Sequence, residues 1–473
     1  MTVNFIERGI LRETLAAQGP LVAFSRMVAA SRRFYARIAL VFTGALAWRV
    51  YYVLGPVQHH FPKLGFNDEL FYNVQAQLFA SGRWFDNPFW TFATPPRYVP
   101  TALHPPLFTM FLAIPAKLGF TTQIDDRVAT AVLGSITVVL IGLLARRIAG
   151  DGPGLVAAII AAAYPPLWSN DSVIGLETLY CFLVVLSLLA FYRFWRAPSL
   201  WWAAAISACL SLAALTRSEG IILLVLLAVP AALWAPGWDW ARKLKGLGVM
   251  ALVAFVLISP WVVRNVVTFE EPTFLGTGFG GVLAYGNCDA TYYGSKLGYW
   301  DDSCSLKNYP RELEESKIDK LARDKGVDYI KAHLGRVPVV LAARAGRVWD
   351  VFRPTQNREL NELFEQRGHA ASWAILISYY VLLPFSIAGL VVMRRRRVPI
   401  FPMIAIAVSV TLTAVLGYPI TRYRAAFDSV MPVLTAVTLA ALWHWWRARG
   451  APQADAAPAV ATTPEPTPVG VAE

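Results

Sequence analysis

The stretch Phe66-Asn67-Asp68-Glu69-Leu70-Phe71-Tyr72 sets two adjacent carboxylates directly behind the first long apolar segment, residues 38–57. Ionisable residues beside a bilayer are costly, so their presence there calls for a use. The 473 residues around them are 56% hydrophobic and only 16% charged, and mean hydropathy is +0.46. A soluble chain of this size could not bury that much apolar surface, so the fold class is an all-α polytopic membrane protein. The net charge of +12 does not indicate nucleic acid, because the basic residues fall in short runs between apolar segments and no nucleic-acid motif is present.

A spanning helix needs about 20 apolar residues. The segments that qualify are 38–57, 128–147, 154–169, 175–193, 199–216, 219–236, 246–263, 372–393, 398–417 and 425–446. Residues 105–120 are short and interrupted by Pro105, Pro106, Pro115 and Lys117. If that segment stays on one side, every dense basic cluster shares a compartment: Arg26 to Arg37, Arg146-Arg147, Arg193 and Arg196, Arg242 to Lys245, Arg394 to Arg397, and Arg447 with Arg449. Positive residues collect inside. The reading is therefore about ten spanning helices in the cytoplasmic membrane, with both termini cytoplasmic and 105–120 juxtamembrane or re-entrant. The chain divides into a cytoplasmic segment 1–37 without a cleavable signal pattern, a membrane core 38–263 with external loop 58–127, an external loop 264–371, C-terminal spans 372–447, and a tail 448–473. The tail is rich in Ala, Pro and Thr and reads as disordered. Within 264–371, residues 312–334 carry apolar positions at helical spacing, and a second helix is expected from Pro338, lying on the membrane surface. Cys288 and Cys304 fall in this loop, where an oxidising compartment favours a disulfide over two free thiols. Cys181 and Cys209 lie in apolar segments as small hydrophobes.

This topology gathers the chemistry-bearing residues on the external face: Asp68, Glu69, His104, Asp171, Arg217, Arg264, Asn265, Arg422, Tyr423 and Arg424. Helix capping accounts for one carboxylate at a helix start, but not for Glu69 beside Asp68. His104 precedes Pro105-Pro106, and its imidazole can bond a phosphate or a sugar hydroxyl, or simply precede a helix-starting proline. Asp171 lies just past Pro165-Pro166, where a solvated loop acid is the plain alternative; Glu177 follows it and reads as the weaker candidate. Arginine is disfavoured on the external side, so Arg217, Arg264, Arg422 and Arg424 suggest an anionic partner, and guanidinium forks suit phosphate oxygens. Interfacial anchoring, or an internal Arg217–Glu219 pair, is the competing account. Arg49, inside the first span, either snorkels outward or meets a lipid phosphate. Gly276-Thr277-Gly278-Phe279-Gly280-Gly281 fits a dinucleotide fingerprint, but it lacks the strand–helix setting and reads as a glycine-rich loop.

Taken in order, Asp68-Glu69, His104-Pro105-Pro106-Leu107, Arg146-Arg147, Pro165 before Asp171, Leu215-Thr216-Arg217, Pro260-Trp261 with Arg264-Asn265, and Arg422-Tyr423-Arg424 resemble the GT-C superfamily of membrane glycosyltransferases. The resemblance runs over residues 38 to 446 and is closest to the family 39 branch of protein O-mannosyltransferases and aminoarabinose transferases. Tyr285 to Cys304 is similar to actinobacterial members of that branch. The resemblance implies a GT-C fold, a polyprenyl-phosphate sugar donor, and an acceptor hydroxyl on a protein, lipid or glycan. It implies inverting transfer at the extracytoplasmic face with Asp68 as the catalytic carboxylate and His104 where the family has a histidine or lysine; Glu69 is read as a second catalytic residue, positioning the acceptor or Asp68. The sequence names no cofactor with certainty and leaves a divalent metal open. The rival readings are a lipid or solute transporter, which would place ionisable groups near the bilayer midplane, and a non-catalytic scaffold.

The topology has a direct test. A reporter fused after Arg397 is expected to report cytoplasm, and one inserted within 290–330 the outside; the reverse result would remove the external site.

Overall fold

The computed structural model describes residues 20–57, 68–307, 309, 313–365 and 367–450. The N-terminal 19 residues and the tail read as disordered lie outside these, apart from residues 448–450. The described chain is helical, with a single isolated bridge pair, Asp86 and Pro100. The first half runs α1 Pro20–Tyr52, α2 Asp68–Ala80, α3 Leu107–Lys117, α4 Gln123–Ala149, α5 Asp151–Ala163, α6 Pro165–Asp171, α7 Glu177–Arg196, α8 Leu200–Ala214, α9 Gly220–Leu233 and α10 Trp240–Thr268. The second half runs α11 Phe279–Gly286, α12 Asp289–Tyr292, α13 Glu315–Ala332, α14 Val337–Val348, α15 Pro354–Phe364, α16 His369–Arg395, α17 Phe401–Leu416, α18 Ala425–Asp428 and α19 Met431–Gly450.

Local chemistry sets several boundaries. Thr122 and Asp125 form a capping box at the start of α4, satisfying amides that a helix N-terminus leaves open. Ser199 and Asp239 cap α8 and α10 through the Trp202 and Arg242 amides. Pro165 and Pro166 end α5 and open α6, because proline fits a first turn but not a helix interior.

Each apolar segment of the sequence forms helix. Five described helices are long and apolar enough to cross a membrane, and the bent pair around α18 and α19, angled by 46°, makes a sixth. Helices α5, α8, α9 and α17 are shorter apolar rods, roughly 20 to 24 Å at 1.5 Å per residue. Helix α3, from the ambiguous stretch, is shorter again and lies against α2. Helices α4 and α7 are mostly enclosed by protein, whereas α1, α10 and α16 keep most of their spanning windows uncovered. Leu252, Phe255, Val263 and Val267 on α10 point away from the protein, as lipid-facing residues do.

In the region 264–371, α13 and α14 start close to the expected positions, and Pro338 occupies the first turn of α14. Cys288 and Cys304 are disulfide-bonded, with Cα atoms 5.8 Å apart. Helix α14 is not the surface-lying amphipathic helix that the sequence suggested. Its Arg344 and Arg347 are fully buried. Arg344 donates to the carbonyls of Gly286 and Val415, and Arg347 to the Leu297 carbonyl and the Asn357 side chain. Burial pulls both guanidinium groups down to about 10. They pin α14 between α11 and the end of α17, so its polar stripe serves the protein and not the lipid headgroups.

Candidate functional site

Asp68 and Glu69 open α2, but they do different things. Glu69 is buried: one oxygen accepts from Arg127 Nη2 at 2.6 Å and the other from the Ile174 amide at 3.0 Å. It ties α2 to α4 and to the turn before α7, so the catalytic role read for it gives way to a structural one. Asp68 keeps 43% of its side chain exposed, against 5% for Glu177 and 11% for Glu365 nearby. Arg422 Nη2 donates to its Oδ2 at 3.2 Å, and His104 Nε2 stands 3.8 Å from its Oδ1.

His104 is placed by Pro105-Pro106 and by the Leu107 amide, which donates to the Leu215 carbonyl at 2.9 Å. Its ring packs edge-on to Phe71 and tilted over Tyr72, each centroid 4.9 Å away. Burial first, then Arg422 and Arg217, hold the imidazole below its ordinary value, with Asp68 pulling the other way. The ring is therefore neutral at pH 7. Burial pushes the Asp68 carboxyl up, but Arg422, His104 and Arg217 together outweigh it and keep it below its ordinary value. The result is an ionised carboxylate beside a neutral imidazole.

Arg422 stands among three carboxylates: Asp68 at 3.2 Å, Glu365 at 3.5 Å and Glu177 at 3.7 Å. Arg217, between α8 and α9, bonds Glu177 and Glu219, the latter at 2.5 Å, and faces the Tyr423 ring at 4.9 Å. The internal Arg217–Glu219 pair exists, and Glu177 extends it toward Asp68. Tyr423 lies near Tyr418, their centroids 6.2 Å apart.

Other residues picked out from sequence do not join this cluster. Asp171 is fully engaged in the core: Arg49 Nε donates to it at 2.7 Å and Thr178 at 2.8 Å. Arg49 accordingly neither snorkels nor meets a lipid; it is 1% exposed. Arg264 donates to the carbonyls of Thr101 and Phe85, and Asn265 to the Phe274 carbonyl, so both hold loop backbone in place. Arg424 is buried against Asp350 at 2.8 Å and Asp428 at 3.2 Å, with its guanidinium 3.5 Å over the Tyr379 ring. An arginine that is neutralised by carboxylates needs no anionic substrate.

Two residues at the site were not chosen from sequence. Tyr72 is fully buried, and its hydroxyl has no hydrogen-bond partner among the described residues. It lies four residues after Asp68, hence on the same helix face, and that spacing is a signal the sequence carries. Glu365 follows α15, and nothing in its local sequence marks it. Among the described residues, no group of three or more His, Cys, Asp or Glu side chains is placed to hold a metal ion. The fingerprint-like glycine run opens α11, where the Asp319 carboxylate accepts from the Gly280 amide at 2.6 Å. Burial pushes that carboxyl up to about 6. A protein carboxylate already takes the place a nucleotide phosphate would need.

The model of the dolichyl-phosphate-mannose-protein mannosyltransferase family matches residues 103–263, about a third of the chain. That stretch contains His104, Asp171 and Arg217. No curated protein matches. The apo oligosaccharyltransferase of Archaeoglobus fulgidus aligns at 18% identity and TM-score 0.51, over 88% of this chain and 51% of its own. The same organism's AglB, solved with an inhibitory peptide and a dolichol-phosphate, aligns at 17% identity and TM-score 0.51 with the same coverage. ArnT of Cupriavidus metallidurans bound to undecaprenyl phosphate gives 16% identity and TM-score 0.41, over 87% of this chain and 78% of its own. The chain thus spans about half the length of the archaeal proteins it matches. The chain therefore shares its fold with the archaeal oligosaccharyltransferase, and residues 103–263 of it resemble the mannosyltransferase family.

The buried pair generates a stability prediction. Arg49→Leu leaves the Asp171 carboxylate enclosed and unpaired and is expected to cost about 3–5 kcal/mol. The double variant Arg49→Leu/Asp171→Leu is expected to cost much less. Unfolding in detergent reads the difference, and equal losses would contradict a paired role for Asp171.

Proposed function

We propose that this protein is a glycosyltransferase that moves a sugar from a polyprenyl-phosphate donor to an acceptor hydroxyl at the extracytoplasmic face, with inversion. The observation that carries the reading is Asp68: it is the exposed carboxylate of a cluster whose other acids are largely enclosed and paired, and it stands between a neutral imidazole and a guanidinium. The family match and the shared fold with a protein solved with dolichol-phosphate support the donor class.

In the reaction, Asp68 accepts the proton of the acceptor hydroxyl as the new oxygen–carbon bond forms at the anomeric centre. The bond from that carbon to the phosphate oxygen breaks, and its electron pair leaves with the polyprenyl phosphate. The transition state is oxocarbenium-like, and charge grows on the departing phosphate. Arg422 is the cation best placed to meet it, exchanging its bond to Asp68 for one to phosphate. That exchange releases Asp68 to act as the base at the moment the donor is bound. His104 donates to the phosphate or to a sugar hydroxyl. Arg217 is held by Glu177 and Glu219 and sets the field around the site without touching the donor. A transporter would need an ionisable group free in the membrane interior, and the Arg49–Asp171 pair speaks against that alternative.

Asp68→Asn is expected to lower transfer by at least about 100-fold, the lower range for loss of a general base, with unfolding unchanged. The assay follows consumption of a panel of polyprenyl-phosphate sugars by mass spectrometry, and normal turnover of the variant would sink the base assignment. The pH dependence has a definite sign. A base works deprotonated, and Asp68 sits below its ordinary value of 3.8, so its protonation does not limit the rate between pH 5 and 7. Arg422→Gln removes the largest lowering influence and is expected to move the acid limb of the rate profile to higher pH. An unmoved limb would contradict the pairing.

A further inference from the structure

The glycine-rich run 276–281 and the start of α13 have no place in the chemistry above, yet both close on the segment that carries His104. Glu315, in the first turn of α13, sends its carboxylate into the first external loop. One oxygen accepts from the Ala102 amide at 2.9 Å and from the Thr277 hydroxyl; the other accepts from the Thr101 hydroxyl at 2.6 Å and the Asn87 amide at 3.5 Å. The Thr277 amide donates to the Ala102 carbonyl at 2.9 Å. The glycine at 276 is required by this contact, since a Cβ there would stand 2.9 Å from the Ala102 oxygen. Arg264 holds the Thr101 carbonyl from the other side at 3.0 Å. Two residues beyond Ala102 comes His104, followed by two prolines that pass little slack along the chain.

We infer that Glu315 is a positioning residue: through Thr101, Ala102 and Thr277 it locks the 101–104 segment, and so fixes the His104 imidazole against Asp68. A carboxylate suits the task because each of its oxygens can accept two bonds, and bonds to an ionised acceptor are stronger than neutral ones. Glutamine keeps the shape but turns an N–H toward the Ala102 amide or the hydroxyls. The inference rests on the proposed function where it concerns turnover, but the clasp itself can be read without any substrate.

The test uses the full-length protein with Glu315→Gln, His104→Gln and the double variant. Hydrogen exchange at the Ala102 and Leu103 amides is expected to quicken by about tenfold or more in Glu315→Gln, the factor given by losing a bond to a charged acceptor. Unchanged exchange would overturn the clasp. In the transfer assay, Glu315→Gln is expected to lose about 10–100-fold in turnover, the range for a sub-ångström to ångström displacement of a catalytic group. A residue that acts through His104 adds little once His104 is gone, so the double variant should match His104→Gln within about twofold. Additive losses, or a His104→Gln variant as active as wild type, would overturn the inference. Should Glu315→Gln fail to fold, Thr277→Val removes one of the same bonds, and the same cycle and exchange then decide. If wild type transfers no sugar, the function reading falls, while amide exchange still decides the clasp.

Discussion

Arg422 is the charge on which the site depends. Asp68 comes from the start of α2, Glu177 from the start of α7, and Glu365 from the end of α15. Three carboxylates cannot converge beside a membrane without a cation among them, because their mutual repulsion grows as the dielectric falls. The guanidinium offers donors in several directions from one plane and stays charged at any working pH. It therefore joins α2, α7 and the end of α15 at one point, and keeps Asp68 ionised. Arg217 repeats the arrangement one layer deeper with Glu177 and Glu219.

Around that centre, the other charges are spent on architecture. Arg49 with Asp171, Arg127 with Glu69, and Arg424 with Asp350 and Asp428 are enclosed pairs. Each cross-links elements that apolar packing alone orients poorly, since lipid tails and leucine side chains solvate one another equally well. With these pairs closed, the groups left at least partly open are few: the Asp68 carboxylate, the neutral His104 ring and the Arg422 fork, with the buried Tyr72 hydroxyl beneath them. In the proposed reaction the carboxylate is the base, the imidazole the neutral donor and the guanidinium the cation that meets the departing phosphate. The region 264–371 does more than cover them. Its helix α13 reaches back through Glu315 to the segment bearing His104.

Much of the fold was legible, because a helix in lipid must satisfy its own backbone and so declares itself as an unbroken apolar run. What the runs could not tell was which helices are central. Helices α4 and α10 carry spanning windows of nearly equal mean hydropathy, 2.4 and 2.3, yet protein encloses one and the other faces outward. The site was half legible. Asp68, His104, Arg217 and Arg422 stood out as ionisable groups at an external rim, and the structure brings them together. Asp171, Arg264, Asn265 and Arg424 stood out for the same reason but are consumed by partners or by backbone carbonyls. The Arg49–Asp171 and Arg424–Asp350 pairs are 122 and 74 residues apart in sequence, so residue type alone could not separate a paired charge from a working one. Glu365 and Glu315 carry no local signature at all; only the fold makes them neighbours of the site.

The measurement that bears most directly on this account is the structure of the full-length protein with a polyprenyl phosphate bound in lipid nanodiscs. The phosphate is expected against the Arg422 guanidinium, near His104, with the Arg422 bond to Asp68 released and the carboxylate facing open space. A phosphate seated away from Arg422, or an Arg422–Asp68 bond unchanged beside a bound phosphate, would contradict it.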